Sequence, residues 1–333
     1  MEKTGRSEIG DLKGSELMES DVADATFFRH HERTFRDFRY VYPVISRRAG
    51  GLSIGVNLNP GMECPFRCVY CQVNRSSRTP ERPECTSGTV SVDPDFLESE
   101  LIWLAERVVS GDFWKTPPFD EVSPQYRRWN DFAISGDGEP LLSPWFSEVV
   151  RRMVRVREMV ESDSTTANAP MMTVDPAPPR PKIVLITSAS ALHLASARPG
   201  LELLRTCENC EMWAKLDAGT EAYYRRVNRS GVPFGRILDN LKREAEFRPI
   251  VIQTLLVDGT DRDGVPLRMD ESELLAYAGR LREINTSGTI DHVQIHSVAR
   301  EPAEPSVRPA SVEFREYVAG VLHSTTGLRV VVH

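Results

Sequence analysis

The chain has 333 residues, of which 40% are hydrophobic and 27% charged, and its net charge is −7. That length suits one large core or two smaller ones, and the acidic balance argues against broad binding to nucleic acid, which works by neutralising phosphates. No apolar run approaches the ~20 residues that span a bilayer, and the polar opening MEKTGRSEIGDLKGSELMESD lacks the apolar stretch of a secretory signal, so a cytoplasmic protein without membrane contact is expected.

Residues 1–35 read as an irregular or mobile N-terminal arm, and 36–333 as one domain. Six strand-like segments follow in that domain: GLSIGVNLN at 51–59, DFAISG at 131–136, KIVLITS at 182–188, EMWAKLDA at 211–218, PIVIQTLLV at 249–257 and DHVQIHSV at 291–298. Most are rich in β-branched residues and bounded by turn residues. Asp93-Pro94 and Ser143-Pro144 each place a capping residue before a proline at a helix start. Phe96, Leu97, Leu101 and Leu104 recur at helical spacing, as do Phe146, Val149, Val150 and Met153. Further helices are expected from Asp270 and Ser311, and a last short strand from the closing RVVV. The segment 161–181 carries five prolines among small polar residues and reads as a disordered surface insertion.

Strands alternating with helices imply parallel pairing through right-handed crossovers. Six such units predict an α/β fold, a partial (β/α)6 TIM-like barrel rather than a closed eight-unit one.

Three of the six cysteines fall within Cys64-Pro65-Phe66-Arg67-Cys68-Val69-Tyr70-Cys71, just after the first predicted strand. In a reducing compartment such a run reads as metal ligation rather than disulfides. Thiolates suit zinc and iron–sulfur clusters alike. A structural zinc ion needs a fourth ligand at its own short spacing, and none lies nearby, because Cys85 is well downstream in a loop. Three thiolates on a cubane leave one iron open to a chelating small molecule. The site would lie at the C-terminal mouth of the barrel, the face on which barrel enzymes work.

The spacing C-x3-C-x2-C resembles the signature of the radical S-adenosylmethionine (SAM) superfamily. That resemblance implies a [4Fe–4S] cluster on Cys64, Cys68 and Cys71, with SAM on the open iron and Tyr70 near its adenine. A second element agrees. The second strand runs into Ser135-Gly136-Asp137-Gly138-Glu139-Pro140, where glycines permit close backbone approach. Taken alone this is also a plain strand-to-helix turn. The superfamily carries a Gly-Gly-Glu-Pro-like motif at this strand end, so Gly136, Asp137, Gly138, Glu139 and Pro140 are implied to cradle the cofactor. Here Asp137 stands in place of a glycine. Ser188, after the third strand, is implied to lie near the ribose. Asn228-Arg229 resembles an Asn-Arg pair that reaches the cofactor carboxylate or substrate, while a helix C-cap is the alternative for Asn228.

Within the superfamily, YPVISRRAGGLSIGVNLNP, CVYCQ, SGDGEPLLSP, KLDAGTEAYYRRVNR and VQIHSVAREPAE are similar to iron–sulfur oxidoreductases related to the tRNA wyosine-synthesis enzyme. No flavodoxin-like domain and no second three-cysteine set is evident. The resemblance implies an enzyme that cleaves SAM reductively to a 5′-deoxyadenosyl radical, which abstracts hydrogen from a tRNA base or a protein or peptide. A low-potential donor such as flavodoxin or ferredoxin would supply the electron. A non-enzymatic electron-transfer or sensing protein is the alternative.

Strand side chains alternate between faces. Lys215 and Asp217 therefore share a face, as do His292, Gln294 and His296, and Gln253 interrupts an apolar strand. With apolar faces against helices, these groups point into the barrel. Lys215 and Asp217 are candidates for lining the cofactor or substrate cavity, with an internal ion pair as the alternative. Cys207-x2-Cys210 precedes the fourth strand, so at ~3.3 Å per residue it lies roughly 20 Å from the mouth. Buried structural thiols are expected there.

Overall fold

The computed structural model describes residues 35–73, 91–166, 180–300, 302 and 304–333. Cys85, the expected arm up to residue 34 and residues 167–179 of the expected insertion lie outside the described residues. In chain order the elements are β1 (Val41–Ser46), β2 (Gly51–Val56), α1 (Pro94–Val109), β3 (Trp129–Ile134), α2 (Phe146–Thr166), β4 (Lys182–Thr187), α3 (Arg198–Thr206), β5 (Cys210–Lys215), α4 (Glu221–Val227), α5 (Phe234–Phe247), β6 (Ile250–Gly259), α6 (Glu271–Ser287), β7 (Ile290–Ser297), β8 (Val307–Pro309), α7 (Val312–Thr326) and β9 (Val330–Val332).

β2 to β7 are the six expected strands, each parallel to the next. The sheet runs β1-β2-β3-β4-β5-β6-β7-β9, and β8 pairs with β6 off this path. It curls into a half-barrel, the partial (β/α) barrel the strand–helix alternation predicts. Two strands were not expected. β1 pairs antiparallel with β2, and its Pro43 breaks the sequence pattern of a strand. Proline is tolerated there because β1 ends the sheet. β8 is three residues long and antiparallel to β6.

The helix starts are mostly as read. Asp93 accepts from the backbone N–H of Asp95 at 3.0 Å and Phe96 at 3.2 Å, with Pro94 first in α1. Asp270 and Ser311 cap α6 and α7 through Glu273 N at 2.8 Å and Phe314 N at 3.2 Å. Ser143 differs. A 3-10 turn over Pro140–Leu142 precedes it, so α2 begins only at Phe146.

Outward strand residues such as Leu52, Ile54, Phe132, Ile134, Ile183 and Leu185 are fully buried beneath the helices. α1 contributes Leu97, Leu101 and Leu104, each worth roughly 1.5–3 kcal/mol when fully buried. Buried Glu100 on α1 accepts from the N–H groups of Arg39 at 2.6 Å and of Tyr40 and Val41 at 3.0 Å, which ties β1 to that helix. Inside the curl, Val184, Trp213 and Val251 form a small separate apolar cluster. Polar residues cover much of the rest of the inner wall.

Cys207 and Cys210 sit away from that wall. Fully buried Arg157 on α2 places Nη2 2.8 Å from Cys207 Sγ and donates to the Glu208 carbonyl at 3.0 Å. Cys210 itself is buried.

Candidate active site

The chain leaves β2 at Asn57 and turns through the cysteine loop, which is fixed from several sides. Arg67 N donates to the Asn228 carbonyl at 3.0 Å and Val69 N to the Val227 carbonyl at 2.9 Å, pinning the loop to the end of α4. Cys71 N closes a turn onto the Cys68 carbonyl at 3.0 Å. Phe66 packs edge-on against Tyr224 at 5.7 Å between ring centroids. Cys64, Cys68 and Cys71 are free thiols, and all three line one cavity of about 370 Å³ inside the half-barrel.

The loop after β3 meets this cysteine loop. Glu139 N donates to the Glu63 carbonyl at 2.8 Å, one residue before Cys64. A Cβ on Gly138 would lie 2.1 Å from that same carbonyl oxygen, so only glycine permits the contact. Gly136 has φ +151°, a backbone region that favours glycine, and packs on Asn57. Asn57 Nδ2 donates to Asp137 at 2.7 Å. Glu139 is buried and turned inward. It accepts from Thr187 Oγ1 and Ser188 N, each at 2.7 Å, and from the Ser188 hydroxyl. Burial raises its carboxyl pKa against those hydrogen bonds. Glu139 thus ties the ends of β3 and β4 together, and Pro140 starts the turn that follows. Gly136, Asp137, Gly138, Glu139 and Ser188 all line the cavity.

Lys215 and Asp217 meet, but only Lys215 faces the cavity. Its Nζ lies 3.3 Å from Asp217 Oδ2 and 2.7 Å from the Tyr70 hydroxyl. Burial opposes charge on Lys215, yet Asp217 and the Cys68 sulfur outweigh it and raise the ammonium pKa. Asp217 is buried behind this lysine. It accepts from the Tyr70 hydroxyl, from Asn228 Nδ2 at 2.7 Å and from Leu255 N at 2.9 Å. Asn228 caps α4, as the alternative reading has it, and its Nδ2 also reaches Cys68 Sγ at 3.6 Å. Its Oδ1 is buried with no hydrogen-bond partner among the described residues. Burial pushes the Cys68 thiol up to about 11 and the Tyr70 hydroxyl well above its usual range. Arg229 pairs with Glu304.

His296 and Gln253 line the cavity, and Gln253 Nε2 donates to Gln294 Oε1 at 2.9 Å. The sequence did not single out Asn57, Arg48 or His333. Asn57 lies in the NLN that ends the first predicted strand, and Arg48 and His333 reach the cavity only through the curl of the sheet.

Asp131 lies on the inner wall, where burial pushes its carboxyl up to about 6 despite a 2.5 Å hydrogen bond from Ser53. Its ordinary value is 3.8. Between these values the folded chain holds a proton that the unfolded chain has released. Stability therefore falls as pH rises from about 4 to about 6, then levels. At 1.36 kcal/mol per unit this amounts to about 3 kcal/mol. Asp131→Asn is expected to remove that slope in urea titrations across this range, and an unchanged slope would refute the assignment.

The residues present fit a cluster and a small-molecule cofactor by their chemistry: three soft thiol donors, a buried orphan amide oxygen and an adjoining cavity of cofactor size. Among the described residues no three His, Cys, Asp or Glu side chains gather around one point as a bound metal ion requires. No helix among the described residues is long and apolar enough to cross a membrane.

No protein-family model matches the chain, and no curated protein matches it either. Solved structures do. A radical SAM methyltransferase from Sphaerobacter thermophilus aligns at 16% identity and TM-score 0.52, over 88% of this chain and 68% of that one. Streptococcus suis SuiB bound to precursor peptide SuiA aligns at 12% identity and TM-score 0.50, over 100% of this chain and 57% of that one. TYW1 with a lysine-pyruvate adduct aligns at 12% identity and TM-score 0.47, over 96% and 90%. The half-barrel described above is therefore a fold shared with that radical SAM methyltransferase and with SuiB.

Proposed function

We propose that this chain is a radical SAM enzyme, with a [4Fe–4S] cluster on Cys64, Cys68 and Cys71 and SAM in the cavity beside them. One observation carries the reading: three thiols at the C-terminal end of β2 line a cavity into which the 136–140 loop also opens. When bound, the cluster and SAM would supply reductive cleavage of the sulfonium, with flavodoxin or ferredoxin as a suitable electron donor.

The chain's own residues hold and enclose. Cys64, Cys68 and Cys71 are the ligands. Gly138 and Glu139 lock the cofactor loop onto the cysteine loop. Tyr70 and Lys215 form the wall nearest the thiols, and Asp217 and Asn228 fix both from behind. Asp217 is therefore a positioning residue, and Lys215 is the better candidate for contact with cofactor or substrate. Substrate hydrogen abstraction from a nucleic-acid base is supported by the resemblance to the wyosine enzyme. A peptide or small molecule suits the net charge of −7 better. The cavity beside the thiols favours an enzyme over an electron carrier, which needs no such space.

Anaerobic reconstitution with iron and sulfide, then incubation with dithionite and SAM, should yield 5′-deoxyadenosine and methionine. An intact cluster that releases neither would sink the reading.

A further inference from the structure

The cavity has a second functional side. Arg48 enters it from the turn joining β1 and β2, at the end of β2 opposite the cysteine loop. That turn is held by Gly50 N on the Ser46 carbonyl at 2.8 Å and Ala49 N on Ser46 Oγ at 3.2 Å. The Arg48 guanidinium lies 5.8 Å from the centroid of the Trp213 ring. Among the described residues it makes no hydrogen bond and no ion pair. His296 from β7 and His333 beyond β9 line the same cavity. His333 is held against β7 by its N–H on the Ile295 carbonyl at 2.9 Å. His296 Nδ1 and His333 Nε2 are both buried without a hydrogen-bond partner among the described residues.

The acids of the cavity are differently placed. Asp131 accepts from Ser53, Asp137 from Asn57, and Glu139 from Thr187 and Ser188. Each of these carboxylates already has its donors. Arg48 has Asp131 as a charge neighbour but no hydrogen bond among the described residues, and one nitrogen of each imidazole is left over. A buried imidazole nitrogen left without a partner is unfavourable. An anion between them would meet the imidazoles and add a second negative partner for Arg48. A guanidinium offers a planar fork matched to carboxylate or phosphate oxygens, and an imidazole N–H supplies a further donor. Burial, reinforced by Arg48, holds both imidazoles neutral at pH 7, His333 with a pKa of about 4. Neutral rings tolerate the neighbouring guanidinium and carry one proton each, for which the Gln294 backbone competes at His296.

We infer that Arg48, His296 and His333 form an anion subsite, across the cavity from the cysteines, that takes a carboxylate or phosphate group of the substrate. That the anion belongs to the substrate rests on the enzyme reading above. The anion subsite itself does not.

The test needs neither cluster nor turnover. Ring-proton NMR signals of His296 and His333, assigned with His296→Gln and His333→Gln, are followed in the full chain at pH 7.5. Sodium phosphate or sodium acetate is added while sodium chloride keeps ionic strength constant. A saturable shift with phosphate identifies a phosphate site, and one with acetate a carboxylate site. Arg48→Met is expected to weaken that binding by about tenfold or more, in line with loss of a charge-assisted pair, and Arg48→Lys to restore part of it. No saturable shift with either anion overturns the inference, even without a foldable variant. So does equal affinity in Arg48→Met with an unchanged circular dichroism spectrum. Failure here together with normal 5′-deoxyadenosine release would remove the subsite and leave the enzyme reading standing.

Discussion

Cys68→Ser is expected to abolish SAM cleavage and to strip the visible iron–sulfur absorption from the reconstituted protein. Serine matches the thiol in size but presents a hard oxygen to iron, which prefers sulfur in such clusters. The surroundings cannot compensate. The Cys68 sulfur is met by Asn228 Nδ2 at 3.6 Å, in the cluster of groups around Tyr70 and Asp217, so the loop has little freedom to recruit another ligand. Changing groups that merely orient a metal ligand costs 10–100-fold, and losing the ligand itself should exceed about 100-fold. Iron content and 5′-deoxyadenosine release are the measurements. Cys210→Ser serves as the control, because that thiol lies by Arg157 and away from the cavity. Iron content falling equally in both variants would count against the assignment of the three ligands.

Gly138→Ala should separate the two loops that form the site. The added Cβ would sit 2.1 Å from the Glu63 carbonyl oxygen and 2.6 Å from Asn59 Cβ. The nearer atom is backbone, so no side-chain rotation relieves the clash. The loops must part, and the 2.8 Å hydrogen bond from Glu139 N to the Glu63 carbonyl is lost. Overpacking of this kind costs about 1–3 kcal/mol in stability. The larger effect should appear in function, as SAM affinity and cleavage falling further than the midpoint of urea unfolding predicts. Gly231→Ala is the matched control, since a Cβ there meets nothing within 4 Å, and its cost should stay within about 0.5 kcal/mol. A Gly138→Ala protein that binds and cleaves SAM normally would show that the clamp does not matter.

The parallel strands were legible because each is a short β-branched run, and alternation marked Lys215, Gln253 and His296 as inward-facing. Asp217 was read as sharing that wall. It lies past the end of β5 and turns behind Lys215. A period-two pattern does not continue beyond the ladder that enforces it. β1 was hidden by Pro43, because a proline that is harmless on an edge looks like a strand breaker in sequence. Ser143-Pro144 resembled a helix start, but the turn over Pro140–Leu142 delays α2. The 136–140 segment was legible as a loop beside the cysteine loop, though not the role of Glu139 in joining β3 to β4. Arg48, His296 and His333 carried no joint signal, because only the curl of the sheet brings them together.

β1 and β9 end the sheet and do not pair with each other. Among the described residues the interior therefore has a flank closed by no strand. On the proposed function, a substrate much larger than the cavity would need to present only one group through that flank and could leave its bulk in solvent. The volume beside the thiols then limits the size of the reacting group, not the size of the substrate that carries it.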